Sequence, residues 1–118
     1  MVTAETISKL LQVCMEKGSA TSCHSMRDHV QFVLSEGKTE YVDRNSLISL
    51  QSPEVHRLSL LCDIFDQARQ RRHILTESCC TMLMYQLGYH VNFVENSINN
   101  VKLIREEDMV VFRASIRL

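Results

Sequence analysis

The chain has 118 residues, 45% of them hydrophobic and 23% charged, and its 13 basic and 14 acidic side chains leave a formal net charge of -1. This is the composition of an ordinary folded domain, long enough to bury roughly 65% of the surface its unfolded chain exposes without a metal or disulfide to hold a core. Near-neutral charge argues against a protein that coats DNA or RNA, and 3 glycines with 1 proline leave no room for Gly-rich loops or Pro-rich linkers.

Thr3 is placed to cap a helix over 4–17, in which Ile7, Leu10, Leu11 and Cys14 share one face and Gly18 supplies a left-handed end. Thr21 or Ser22 starts a second expected helix, running to about residue 36 with Met26, Val30, Val33 and Leu34 on one side and Gly37 after it. Residues 38–43 form a polar connector, and Asp43 or Asn45 caps a short helix carrying Leu47, Ile48 and Leu50.

The next helix is expected to start at Ser52, with Pro53 at its first position and Glu54 beside the positive end of the dipole. Val55, Leu58, Leu61, Cys62 and Phe65 follow at helical spacing, and Arg69, Arg71, Arg72 and His73 gather where positive charge is favoured. Thr76 caps a further helix through Gln86, with Cys79, Cys80, Met82, Leu83, Met84 and Leu87 making it nearly all apolar and Gly88 closing it.

Asn92 with Glu95 resembles a capping box, and Asn99-Asn100 marks a turn, so a short helix near 93–98 is expected. At the C-terminus two patterns compete. Val110, Phe112, Ala114, Ile116 and Leu118 alternate as in a strand, with 101–104 as its hairpin partner. Glu106, Glu107 and Asp108 ahead of Arg113 and Arg117 give the charge order of a helix, which is preferred.

The run Ser52-Pro53-Glu54-Val55, followed by Leu58, Leu61-Cys62 and Phe65, resembles a helix of a HEAT or armadillo repeat. That resemblance implies stacked helices and a scaffold or adaptor surface with no chemistry of its own. No second copy of fixed period is visible.

Motifs that carry chemistry are sparse. Cys23, His24 and His29 lack the second ligand pair of structural zinc, and the side chains of Cys79 and Cys80 diverge by about 100 degrees around a helix. A cysteine nucleophile would need exposure near a helix N-terminus, which only Cys23 and Cys79 approach, and no Gly-rich turn offers an oxyanion hole. Four of the five cysteines lie on apolar stripes and read as reduced core residues. The acids Glu106, Glu107 and Asp108 point in different directions, and Gly18, Gly37 and Gly88 build no phosphate loop. No catalytic residue, metal or cofactor is expected.

The sharpest surface feature is the basic run Arg69-Gln70-Arg71-Arg72-His73, suited to an acidic or phosphate-bearing partner. Apolar residues crowd the chain ends, Phe112 and Ile116 among them. The sequence therefore predicts one all-α domain over 1–118, or a fragment of a larger protein, built as a bundle or short array of five to seven helices with a C-terminal β-hairpin as the alternative for 101–118. The expected function is a non-enzymatic protein-interaction module that buries an apolar face against a partner chain or a second copy. Arg69, Arg71, Arg72, His73, Phe112 and Ile116 are its expected contacts. The alternative is a nucleic-acid-binding helical or winged-helix domain using the basic run. Residues 78–94 are uncharged but contain Gln86, His90 and Asn92 and fall short of the ~20 apolar residues of a membrane span. With no basic and apolar leader at Met1-Val2-Thr3-Ala4-Glu5, an intracellular setting, cytoplasmic or nuclear, is expected.

Overall fold

The computed structural model describes residues 1–28, 30–71 and 79–116. In chain order its elements are α1 (Ala4–Lys17), β1 (Ser19–Ser25), β2 (Gln31–Ser35), β3 (Lys38–Val42), a 3-10 turn (Arg44–Ser46), β4 (Ile48–His56), α2 (Leu58–Gln70), α3 (Cys80–Gln86), β5 (Phe93–Glu95) and α4 (Glu106–Ile116). The architecture is α/β, which overturns the expected all-α bundle of five to seven helices.

The first helix is the one its sequence describes. Thr3 accepts a hydrogen bond from the Thr6 amide, and Gly18, at a φ of 89°, donates its N–H to the Cys14 carbonyl in a left-handed cap. The chain then enters β1, Ser19-Ala-Thr-Ser-Cys-His-Ser, the middle strand of a three-stranded sheet ordered β4-β1-β5. β1 runs antiparallel to β4 and parallel to β5.

Successive residues of a strand point to opposite faces, and β1 is covered on both. On one face Ala20 joins Leu10 and Cys14 of α1, with Val13, Val55 and Val94 packed around them. On the other, the Thr21 hydroxyl lies 2.6 Å from that of Thr81 in α3. Beyond α3, Ile64 and Ala68 of α2 pack with Leu83 and Met84, flanked by Leu60, Leu87, Tyr89 and Val91. The sheet is thus a layer between α1 and α3.

The helix expected over 22–36 is two strands instead. β1 takes its first part, and β2 pairs antiparallel with β3 in a separate ribbon joined by Glu36-Gly37. Both of these residues have positive φ, 50° and 77°, as a two-residue hairpin turn requires. Gly37 is a turn glycine rather than a helix end. The ribbon leaves Phe32, Val33, Leu34 and Tyr41 exposed, with the rings of Phe32 and Tyr41 in edge contact.

Asp43 caps only the three-residue 3-10 turn, and Ile48 and Leu50 belong to β4. The HEAT or armadillo resemblance fails at its core, because Ser52-Pro53-Glu54-Val55 lies inside β4 and the helix starts at Leu58. The face of α2 that packs is also rotated from expectation: Ile64 and Ala68 are buried, whereas Leu58 and Phe65 are exposed.

The helix expected from Thr76 is α3 from Cys80; its expected cap lies outside the described residues. The short helix expected at 93–98 is the strand β5. At the C-terminus the charge order prevails over the alternation, for 106–116 is helical and no hairpin forms among the described residues there. The Asp108 carboxylate accepts the amides of Ile104 and Arg105, each at 2.8 Å, so an acid of the first turn satisfies donors that a helix N-terminus leaves open. No helix among the described residues is long and apolar enough to cross a membrane.

Replacing fully buried Ile64 by Ala should cost about 2–5 kcal/mol in denaturant unfolding, whereas Phe65→Ala one position on should cost far less. Equal losses would refute the assigned face of α2. The two amide bonds hold the Asp108 carboxyl below its ordinary range. The cap is therefore complete above the unfolded aspartate pKa and is lost as pH falls through the lower folded value. A carboxyl NMR titration should place the Asp108 midpoint below that of an unstructured aspartate.

Candidate functional site

The ladder between β1 and β4 is interrupted. Thr21 pairs with Glu54 and Cys23 pairs with Leu50, so three residues of β4 stand opposite one of β1. The irregular residues are Gln51, Ser52 and Pro53. A proline, which cannot donate to a ladder, fits a bulge of this kind, and bulges turn side chains out of the regular alternation.

The segment after β5 is fastened to this bulge. The Asn96 amide donates to the Cys23 carbonyl at 2.8 Å, and Thr6 donates to Asn96 Oδ1 at 3.0 Å. Gln51 Nε2 reaches the Ser97 carbonyl at 3.1 Å, and Asn100 Nδ2 reaches the Ser52 carbonyl at 2.5 Å. Bulge and loop together enclose a cleft of about 610 Å³. The cleft is also bordered by Thr21, His24, Glu54 and Lys102, with Leu50, Met82, Ile98 and Val101 supplying apolar wall.

Polar atoms at this cleft are left unused. His24 Nδ1 and Gln51 Oε1 are buried without a hydrogen-bond partner. An unmet buried polar atom costs stability, and these two lie beneath the cleft surface rather than on it. Among the described residues of the cleft wall, Lys102 is the one permanent cation.

Glu54 ties the cleft to the core. Its Oε2 accepts from the Thr81 amide at 2.9 Å and from the Thr81 hydroxyl at 2.7 Å. Since that hydroxyl spends its only proton on Glu54, Thr21 must donate to Thr81. His56 Nε2 lies 3.0 Å from the same Oε2. The His56 bond is the largest influence lowering the Glu54 pKa; burial opposes it, and both Thr81 bonds reinforce it. The ionised form is therefore favoured.

The cysteines are free, but they are not uniformly core residues: Cys14 and Cys23 are buried, Cys79 and Cys80 half-buried, and Cys62 exposed. Burial and then the Glu95 charge push the Cys23 thiol up, the opposite of what a nucleophile needs. Arg69 is exposed on the last turn of α2, 3.6 Å from Asp66, and Arg71 follows the helix as its exposed C-cap residue. Arg72 and His73 lie outside the described residues. Phe112 is half-buried and Ile116 exposed on α4. None of the described members of this set borders the cleft.

Sequence reasoning gave no site role to Thr21, Gln51, Ser52, Asn100 or Lys102. The signal that could have found the last two is 96–102, where Asn96, Asn99, Asn100 and Lys102 crowd a segment without helix or strand periodicity. Such a segment is read most simply as a turn, and only the fold sets it beside the bulge.

Three comparisons bear on this arrangement. The chain is 28% identical over 120 residues to the ribitol-5-phosphate cytidylyltransferase of Lacticaseibacillus paracasei, covering 99% of the chain and 51% of that enzyme. It is 31% identical over 116 residues to the 2-C-methyl-D-erythritol 4-phosphate cytidylyltransferase of Lysinibacillus sphaericus, covering 98% of the chain and 49% of the relative. The chain thus spans about half the length of these relatives. The crystal structure of 2-C-methyl-D-erythritol 4-phosphate cytidylyltransferase from Thermus thermophilus superposes with a TM-score of 0.84 at 22% identity, over 100% of the chain and 57% of that structure.

These similarities, with the family match below, overturn the expected non-enzymatic adaptor and lend nothing to the nucleic-acid alternative, whose wing is in fact the helix α4. The profile of the 2-C-methyl-D-erythritol 4-phosphate cytidylyltransferase (IspD) family matches residues 1–117, and the chain belongs to that family of enzymes.

Proposed function

We propose that this chain contributes the alditol-phosphate-binding part of a cytidylyltransferase. The observation that carries the reading is Lys102 standing in the wall of a 610 Å³ cleft otherwise lined by neutral hydrogen-bonding groups, one carboxylate and apolar side chains. A phosphorylated short polyol has matching chemistry: a dianionic end for the ammonium, a row of hydroxyls for Ser52, Gln51, Asn100 and Glu54, and a carbon backbone for Leu50 and Val101. The two relatives are named for substrates of this class, ribitol 5-phosphate and 2-C-methyl-D-erythritol 4-phosphate.

In the reaction, an oxygen of the alditol phosphate attacks the α-phosphorus of CTP. A new phosphoanhydride bond forms, the bond from the α-phosphorus to the β-phosphate's bridging oxygen breaks, and diphosphate leaves with that electron pair. Such transfers depend on positioning and charge stabilisation more than on covalent chemistry by the protein. Lys102 neutralises the attacking phosphate, and the bulge and loop fix the polyol. Membership of this enzyme family accords with the expected intracellular setting and lends nothing to the nuclear alternative.

Isothermal titration of the chain with ribitol 5-phosphate and 2-C-methyl-D-erythritol 4-phosphate tests the proposal. At least one should bind, and Lys102→Ala should weaken it by roughly ten- to hundredfold, as loss of a charged hydrogen bond of ~1.5–3 kcal/mol implies. Failure of both to bind, or indifference to Lys102→Ala, would refute the assignment.

For the expected association with a second copy we propose the ribbon of β2 and β3. A lone two-stranded ribbon is marginal in water, yet this one exposes Phe32, Val33, Leu34 and Tyr41. Light scattering should give a dimer mass that Leu34→Asp lowers to the monomer; a wild-type monomer at high concentration would refute it.

A further inference from the structure

Beside the cleft, on the α3 face of the sheet, three side chains of different chemistry converge. Glu54 and His56 are two residues apart on β4 and so share a face, and Cys80 opens α3 opposite them. One potential ligand atom from each lies within 4.8 Å of the other two. The set of one carboxylate oxygen, one imidazole nitrogen and one thiolate sulfur matches what a divalent zinc ion takes in proteins.

The spacing is within reach of that of an occupied site. Ligands on one tetrahedral zinc stand about 3.3–3.6 Å apart, given metal distances of about 2.0–2.1 Å to nitrogen or oxygen and 2.3 Å to sulfur. His56 Nε2 and Glu54 Oε2, 3.0 Å apart, are a hydrogen-bonded pair, so a metal on them takes the place of the proton they share. Only 7% of the His56 side chain is exposed, so its ring is held in the interior with Nε2 toward Glu54. A neutral imidazole carries a lone pair on one ring nitrogen, and with the ring proton on Nδ1 that lone pair is on Nε2, facing the carboxylate, where a cation relieves the repulsion.

Outer contacts that hold metal ligands in place are present as well. The Thr81 amide and hydroxyl fix Glu54 Oε2, and Thr21 fixes the Thr81 hydroxyl. The adjacent pair Cys79-Cys80 is not asked to chelate together, since Cys80 alone joins the two ligands from β4.

We propose that Glu54, His56 and Cys80 form a three-ligand site for a zinc ion in the wall of the cleft. Three protein ligands leave the fourth position open, the arrangement found where zinc acts on a bound molecule rather than only bracing a fold. Glu54 belongs to both the cluster and the cleft wall, so the ion couples ligand binding in the cleft to the packing of α3 on β1.

Cobalt(II), which reports its ligands in absorption, is the probe for titration of the reduced, chelator-treated chain. One equivalent should produce tetrahedral d–d bands and a thiolate-to-cobalt charge-transfer band. That band should vanish in Cys80→Ser and persist in Cys79→Ser, and competition by zinc should show affinity weakened by about tenfold or more in His56→Asn. Thr81→Val should weaken affinity while keeping the band. Zinc X-ray absorption of the unaltered chain provides a reading that needs no variant to fold: one sulfur at about 2.3 Å with lighter ligands at about 2.0–2.1 Å is expected. Absence of the charge-transfer band, its survival in Cys80→Ser, its loss in Cys79→Ser, or a sulfur count of zero or two would overturn the site.

Discussion

Everything in this fold depends on one strand being narrow. β1 is hydrogen-bonded along both edges and covered on both faces, so its side chains occupy the gap between α1 and α3. Ser19, Ala20, Thr21, Ser22 and Cys23 are all buried, and none is larger than threonine or cysteine. A leucine or isoleucine here would force the layers apart, because a close-packed interior has no spare volume. The constraint has a chemical consequence. A central strand of small residues carries hydroxyls into the interior, and each needs a partner. Thr21 finds Thr81, and Ser19 accepts from Asn92 at 3.3 Å, whereas the Ser22 hydroxyl is buried without one.

Those hydroxyls make a half-buried carboxylate tolerable next door. Withdrawing Glu54 from water disfavours its charge, and without compensation it would protonate. Instead the amide and hydroxyl of Thr81 and the ring of His56 converge on one oxygen. The chain of contacts from Thr21 through Thr81 to Glu54 runs from the middle strand, across the first turn of α3, to the edge strand. It locks α3 to the sheet by polar bonds where the α1 face is held by Leu10, Cys14 and Val55. The two faces of one sheet are thus stabilised by different physics, and the polar face is the one that borders the cleft.

What the sequence disclosed and concealed follows from the same asymmetry. α1 is legible because its caps are local: Thr3 and Gly18 act within four residues of their partners. α4 is legible through Asp108, again a local bond. β1 is not, because a strand buried on both faces loses the alternation that marks a half-buried one, and its serines and threonines look like cap residues when no neighbour is visible. β4 misleads through Pro53. Beside Ser52 and Glu54 it has the chemistry of a helix start, and only the pairing of Thr21 with Glu54 and of Cys23 with Leu50 reveals a bulge. The cleft was harder still, since Gln51, Asn100 and Lys102 meet through long-range bonds that no local pattern encodes.

The irregular backbone is where the polar groups become available. In a regular ladder every second residue of the edge strand β4 would give its amide and carbonyl to β1, and its side chains would alternate between the two faces of the sheet. Opposing three residues to one frees the Ser52 carbonyl for Asn100 and turns Gln51 toward the Ser97 carbonyl, so the 96–102 loop is bound by the groups the bulge releases. Gln51 Oε1 is left buried without a partner, and so is Nδ1 of His24, another residue of the cleft wall. A rigid sheet can hold such unmet atoms in place because Thr6, Asn96 and the Cys23 carbonyl brace the loop from the α1 side. What a ligand meets is the exposed part of the wall, Lys102 among it, already held in place by the bulge and loop, which is how a preorganised cleft gains affinity without moving.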